Sequence, residues 1–174
     1  LRARIIPCLL LHEEGLNKTE KFEPGKYVGD PLNAVKIFNE KEVDEIIVLD
    51  IDKTVQGASP DMEVIQSLAN ECRMPLCYGG GITTVEQAVQ IVSMGVEKVA
   101  LSSAALADFS LCDSIAAIVG RQSVVVVLDV KKQRWRRGYD VMTHNGKKKH
   151  HQKLDQVLDE IVRHEVGEVV INSI

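Results

Sequence analysis

Apolar residues along the chain follow two alternating patterns, short continuous runs and longer stretches with helical spacing. The runs are rich in Val and Ile and predict strands at 4–11, 45–51, 75–80, 98–103, 123–130 and 168–174. The stretches between them place apolar residues three and four positions apart, as Val85, Ala88 and Val92 show. This spacing predicts helices at 30–43, 59–72, 84–95, 106–120 and 152–167.

The alternation of strands and helices predicts a parallel sheet covered by helices. Long insertions follow the first and fifth strands, at 12–29 and 131–149, which indicates a repeat of about four strand–helix units. In the second insertion, the turn-forming pair Asn145–Gly146 follows an alternating segment and predicts a hairpin. Two such repeats make a (β/α)8 barrel of ~250 residues. We therefore interpret 1–174 as one α/β domain, a partial (β/α)8 barrel covering about the first five and a half units.

Composition and charge exclude several classes of protein. With 45% hydrophobic residues, 26% charged residues and a net charge of -4, a globular protein is expected, without a nucleic-acid-binding surface. No apolar run reaches the ~18 residues of a membrane helix. The four cysteines lie in or beside apolar segments without metal-ligand spacing, which indicates reduced thiols in a cytoplasmic protein. The five histidines form no ligand pattern, so we expect neither a metal nor another cofactor.

The basic cluster at 147–151 is a local exception to the acidic composition. Charge runs of this kind are usually solvated loops. A contact with an anion or a partner is the other interpretation, and the sequence leaves both open.

The most distinct chemical signal is the segment 78–82, in which Gly79, Gly80 and Gly81 end a strand. Glycines allow a close approach of the backbone and can direct N–H groups towards an anion. Thr83 or Thr84 then caps the next helix, whose dipole favours negative charge. A tight turn without a ligand is the alternative. Ser102 and Ser103, one strand further on, have hydroxyl groups that could bind the same phosphate.

Charged residues stand at both ends of the predicted strands. Asp129 follows five apolar residues at a carboxyl end, either as a catalytic acid or base or as an ion-pair partner. Its counterpart in the proposed repeat is Leu10, which cannot transfer a proton. At the opposite ends, a ring of alternating charge is possible, although exposed pairs contribute little to stability. The residues at these strand starts are Arg4, Glu45, Lys98 and Glu168.

Taken together, these segments resemble the cyclase subunit of imidazole glycerol phosphate synthase, a (β/α)8 enzyme of histidine biosynthesis. The resemblance is carried by "RIIPCL", "GDPLNAVKIFNE", "VDEIIVLDI", "PLCYGGGI", "VEKV", "GRQSVVVVLDVK", "THNGKK" and "GEVVINSI", and it extends over essentially the whole chain. The resemblance implies a lyase that receives ammonia from a glutaminase subunit, through the barrel, and uses it on a phosphorylated substrate.

The resemblance also implies roles for individual residues. It assigns Arg4, Glu45, Lys98 and Glu168 to a charged gate for ammonia at the glutaminase-facing end of the barrel. Phosphate binding falls to Gly80, Gly81, Ser102 and Ser103, although the family usually has Asn at the position of Ser102. Lys18 matches the lysine of a flexible loop that closes over substrate, and Asp50 and Asp129 match carboxylates of the active site.

Two features depart from the family. The catalytic Asp of the first strand is replaced by Leu10, and the second catalytic Asp would follow Ile174. The segment 9–31 is more similar to a branch found with surface-polysaccharide genes, in which ammonia serves the amidation of a sugar. We therefore expect a histidine-type cyclase subunit that forms a heterodimer with a glutaminase. The alternatives are a paralogue that acts on a nucleotide sugar and a non-catalytic scaffold that activates the glutaminase.

Overall fold

Six parallel strands form the frame of the protein in the computed structural model, which describes residues 2–13, 15–19, 25–133 and 138–174. In spatial order they are β1 (Cys8–His12), β4 (Ile46–Asp50), β5 (Leu76–Gly79), β6 (Lys98–Leu101), β7 (Val124–Lys132) and β10 (Glu168–Ser173). All six predicted strands are confirmed. The first begins at Cys8 and not at position 4, after Pro7, which has no backbone N–H to donate.

Helices connect the parallel strands, as the apolar spacing predicted. They are α1 (Pro31–Glu40), α3 (Met62–Glu71), α4 (Val85–Ser93), α6 (Ser110–Val119) and α7 (Leu154–Arg163). Two short helices, α2 (Lys53–Gln56) and α5 (Ser103–Ala107), were not predicted. The predicted helix at 106–120 is wrong in its first turn, because Asp108 separates α5 from α6 and accepts a hydrogen bond from the Ser110 N–H at 2.9 Å.

The two insertions extend the sheet with antiparallel strands. In the first, β2 (Gly15–Lys18) and β3 (Lys26–Gly29) pair beside β1, where the sequence indicated only a loop. In the second, β8 (Tyr139–Thr143) and β9 (Lys148–Lys153) form the predicted hairpin, with Asn145 and Gly146 at positive φ in its turn. The interpretation of the basic cluster as a loop is wrong, because most of it lies in β9.

Strand alternation separates two apolar layers. The larger layer lies between the sheet and the helices and includes Val48, Tyr78 and Ile115. The smaller layer lies on the opposite face of the parallel strands, where a barrel has its interior. Its buried members are Ile47, Cys77, Ala100, Val125 and Val127. This mixed α/β arrangement with parallel strands agrees with the predicted (β/α)8 class.

Among the described residues, no helix is both long enough and apolar enough to cross a membrane.

Helix α6 allows a matched test of this packing. Ile115 is fully buried and Ile118 is 63% exposed on the same helix. We expect Ile115→Ala to lower the free energy of unfolding by about 3 kcal/mol, because it leaves a cavity in the core. Ile118→Ala should change it by less than about 0.5 kcal/mol. Urea unfolding followed by circular dichroism measures both, and equal effects would contradict this assignment of the buried face.

Candidate functional site

A cavity of about 940 Å³ opens at the carboxyl ends of the parallel strands. Its lining contains six of the residues that the sequence assigned to substrate: Asp50, Gly80, Gly81, Ser102, Ser103 and Asp129. Lys18 lies exposed in β2, and its neighbour Thr19 lines the cavity. All six parallel strands and both hairpins therefore contribute to one concave site.

The glycine turn after β5 packs tightly against protein atoms. A Cβ on Gly80 would lie 2.4 Å from the carbonyl oxygen of Asp50, and one on Gly81 would lie 2.5 Å from that of Ala58. Both glycines also have positive φ, at 126° and 72°, which other residues rarely adopt. Packing alone thus explains these glycines, while the Gly81 N–H makes only a long hydrogen bond of 3.4 Å to Thr54 Oγ1. A stronger acceptor such as a phosphate oxygen could replace that bond.

The helix that follows the glycine turn is capped by Thr84, one of the two predicted candidates. Thr84 Oγ1 accepts from the Gln87 N–H, and Gln87 Oε1 accepts from the Thr84 N–H, so the two residues form a capping box. Ser102 and Ser103 begin α5 at the next strand end. Polar groups of two neighbouring loops therefore face the same cavity.

Asp50 is a buried carboxylate that accepts hydrogen bonds from the turn that follows β4. Its Oδ1 accepts from the backbone N–H groups of Asp52 at 3.1 Å and Lys53 at 3.3 Å. Burial raises the pKa of Asp50, and these hydrogen bonds oppose the shift without cancelling it. Asp50 therefore orders the turn into α2 as well as lining the cavity.

Asp129 lies where β7 reaches the cavity. Its Oδ1 accepts a hydrogen bond of 2.8 Å from Asn172 Nδ2 on the neighbouring β10. Burial raises the pKa of Asp129, and the bond from Asn172 lowers it by less. The carboxyl group therefore holds a proton to a higher pH than an ordinary aspartate, as a general acid requires. The contact of Asn172 with Asp129 depends on the pairing of β7 with β10.

Leu10 also lines the cavity, paired with Leu49 of β4. An apolar side chain thus occupies the position where the first strand would present a carboxylate. Two residues further on, His12 Nδ1 lies 2.7 Å from Asp52 Oδ1, and Asp52 Oδ2 accepts from the Glu13 N–H. The contact with Asp52 raises the pKa of His12. This His–Asp pair was not predicted, because the two residues are 40 positions apart in the sequence.

The opposite end of the barrel carries a closed ring of four ion pairs. Arg4 Nη1 lies 3.0 Å from Glu45 Oε2, and Arg4 Nη2 lies 2.6 Å from Glu168 Oε1. Lys98 Nζ lies 2.7 Å from Glu45 Oε2 and 2.9 Å from Glu168 Oε2. The four strand-start charges therefore come together as one cluster, here called the charged ring.

Burial differs around the charged ring. Glu45 is 2% exposed, whereas the Arg4 side chain is 48% exposed. Burial raises the pKa of Glu168, but hydrogen bonds from Lys98 and Arg4 outweigh it and hold the pKa below the ordinary value. Burial lowers the pKa of Lys98, and its bonds to Glu45 and Glu168 raise it by more. Arg4, Lys98 and Glu168 are therefore charged near neutral pH.

Among the described residues, no group of three or more His, Cys, Asp or Glu side chains could hold a metal ion.

Comparisons with known proteins agree with this architecture. A provisionally named imidazole glycerol phosphate synthase subunit HisF of Leptospira borgpetersenii is 52% identical over 174 residues, which are 100% of this chain and 68% of that protein. The provisionally named subunit hisF3 of Vibrio vulnificus is 54% identical over 174 residues, 100% of this chain and 67% of the relative. The imidazole glycerol phosphate synthase subunit HisF of Hyphomonas neptunium is 34% identical over 175 residues, 99% of this chain and 68% of the relative.

A family match covers nearly the whole chain. Residues 4–174 match the family described as histidine biosynthesis protein. Together with the relatives, this match confirms the resemblance found in the sequence. The chain, a partial-length relative of HisF proteins, belongs to the histidine biosynthesis protein family.

Proposed function

We propose that this chain is the ammonia-using subunit of a cytoplasmic synthase of the imidazole glycerol phosphate synthase type, and that it acts in a heterodimer with a glutaminase. One observation carries the proposal. The charged ring occupies the amino ends of the strands, and a cavity with candidate phosphate-binding groups occupies their carboxyl ends. A small neutral molecule delivered at one end could thus meet a phosphorylated substrate at the other.

The charged ring suits the role of a gate. Each charge in the ring is paired with opposite charges, so the ring excludes an additional ion. The ring opens when one ion pair separates. Arg4 is the most exposed member and can move towards solvent at the smallest cost, because exposed ion pairs contribute little. Beyond the ring, the inner face carries small side chains such as Cys77 and Ala100, which offer neutral ammonia an apolar path.

The cavity supplies groups for binding and proton transfer. Gly80, Gly81, Ser102 and Ser103 would hold a phosphate through backbone and hydroxyl donors. Lys18, the last residue of β2, would neutralise an anion as it closes over the substrate. Asp129 would exchange a proton with the reacting group, and Asp50 would keep the turn in place.

Leu10 favours a second candidate, a paralogue that delivers ammonia to a different acceptor. A ring closure that needs two acid–base groups loses one of them at this position. Amidation of a surface-polysaccharide sugar would still need ammonia but would not need that carboxylate. A third candidate is a non-catalytic scaffold that only activates the glutaminase and consumes no acceptor.

Double substitution of the charged ring tests the gate. Glu45→Ala/Glu168→Ala should leave glutamine hydrolysis by the complex intact but reduce glutamine-dependent product formation by about ten-fold, as ammonia escapes. Added ammonium chloride should restore the product. Asp155→Ala/Asp159→Ala, which removes two exposed carboxylates from α7, is the matched control. Glutaminase activation with no acceptor consumed by the unsubstituted complex would establish the scaffold instead.

Restoring the carboxylate at position 10 tests the type of reaction. Leu10→Asp should raise histidine-type cyclisation by about a hundred-fold, the usual contribution of one general acid or base. Leu10→Asn has a similar shape without the proton and should give no gain. The measurement uses the natural full-length protein with its glutaminase. Full cyclisation by the unsubstituted protein would rule out the paralogue.

Asp129 links stability to pH. Its pKa is raised on folding, so its ionisation weakens the folded state as the pH rises through the interval from its unfolded to its folded pKa. Asp129→Asn removes this cost and can still accept from Asn172. We expect the variant to unfold at a higher temperature than the natural protein at pH 7, with the difference vanishing at low pH, and to lose product formation. A lower melting temperature at pH 7 would contradict the assignment.

A further inference from the structure

The hairpin that follows Asp129 concentrates positive charge in an acidic protein. Residues 131–153 contain nine of the 21 Lys and Arg residues but only one of the 25 Asp and Glu residues, Asp140. We call residues 131–133 and 138–153, the part of this segment that the structure describes, the basic hairpin. A net charge of -4 for the whole chain means that the remainder is strongly acidic.

The basic hairpin lies at the mouth of the cavity. β7 continues past Asp129 to Lys132, and β8 returns beside it, with Met142 opposite Asp129. The turn between β8 and β9 reaches the cavity, because His144 and Asn145 belong to its lining. Asn145 Nδ2 donates to the carbonyl oxygen of Ile51 at 2.9 Å, which fixes the turn against the end of β4.

The lysines that follow this turn lie at the same height along the sheet as Asp129. On β9, Lys148 lies opposite Thr143 and Lys149 lies opposite Met142. Met142 in turn lies opposite Asp129 of β7. Two strand spacings therefore separate the backbones of Lys149 and Asp129, roughly 10 Å. Lys147 precedes them, one residue after the turn glycine, Gly146. The backbones of these lysines thus form a row beside the cavity mouth, with consecutive side chains on β9 pointing to opposite faces of the sheet.

Most of this charge is available to a ligand. The exposed lysines are Lys131, Lys132, Lys147, Lys148, Lys149 and Lys153. Lys149 pairs with Asp140 at 2.8 Å. The other five make no ion pair with any residue that the structure describes.

Protection of a sheet edge explains only part of this pattern. β9 is the last strand on its side of the sheet, and lysines on edge strands discourage pairing with other chains. Lys131 and Lys132 lie in β7, which is paired with β8 at that point, so they guard no edge.

We propose that the basic hairpin binds the diphosphate of an extended acceptor whose other end lies in the cavity. This inference rests on the proposed function for the identity of the cavity as the acceptor site. A diphosphate fits because it spreads several charges along a row of lysines, whereas one phosphate would use the donors of the glycine turn. Nucleoside diphosphates and isoprenyl diphosphates share this chemistry.

Calorimetric titration of the full chain tests the inference, with uridine diphosphate, geranyl diphosphate and inorganic phosphate as probes. Both sites attract anions, but we expect at least one diphosphate to bind about ten-fold more tightly than inorganic phosphate, with an affinity that falls as salt increases. The probe that binds more tightly identifies the source of the diphosphate, and equal binding of the two shows that the diphosphate alone is recognised.

Charge reversal separates anion binding from edge protection. Lys147→Glu/Lys148→Glu keeps a charged edge strand and should weaken diphosphate binding by about ten-fold, with inorganic phosphate little changed. Lys36→Glu/Lys41→Glu changes the net charge equally on and beside α1 and should have less than a two-fold effect. Lys131→Glu/Lys132→Glu, in a paired strand, should repeat the loss if the first variant fails to fold.

Unchanged diphosphate binding in the folded charge-reversal variants would overturn the inference, as would equal affinity of the natural chain for diphosphates and inorganic phosphate. Binding is measured without the glutaminase, so its outcome is independent of the ammonia test. Failure of the gate experiment with intact diphosphate binding would reject the proposed function alone.

Discussion

Parallel pairing of six strands in a constant direction is the constraint on which the rest of this structure depends. It places every amino end at one edge of the sheet and every carboxyl end at the other. Residues that are far apart in the sequence, such as Arg4 and Glu168, therefore become neighbours. The same constraint keeps the charged ring and the cavity apart, on opposite ends of one apolar interior.

Burial makes the charged ring more than a set of surface ion pairs. Glu45 is almost inaccessible, and a buried carboxylate is costly unless its charge is balanced. Lys98 and Arg4 supply that balance, and both also bind Glu168. Each pair therefore depends on the others.

The carboxyl end has a different balance between stability and function. Burial of Asp129 disfavours its charged form, and the glycine turn uses residues that lose more backbone entropy on folding than any others. These features make the fold less stable than an apolar alternative would be, which is typical of functional sites. The substitution at Leu10 removes one such cost. Under the proposed function, the acceptor chemistry differs from that of the family while ammonia delivery is kept. The basic hairpin adds a second surface at the same end, where such an acceptor could extend.

The sequence by itself determined the class of the fold, because apolar periodicity reports which faces of strands and helices are buried. It also identified the glycine turn, the Asn145–Gly146 hairpin and the four charges of the ring as candidates, because each depends on local residue types or on their place at a strand end. Only the tertiary structure decided that Asn172 contacts Asp129, that His12 contacts Asp52 and that the basic cluster is a strand. Those contacts depend on register and on the direction of insertions, which are set by pairing between distant segments, and no local pattern encodes them.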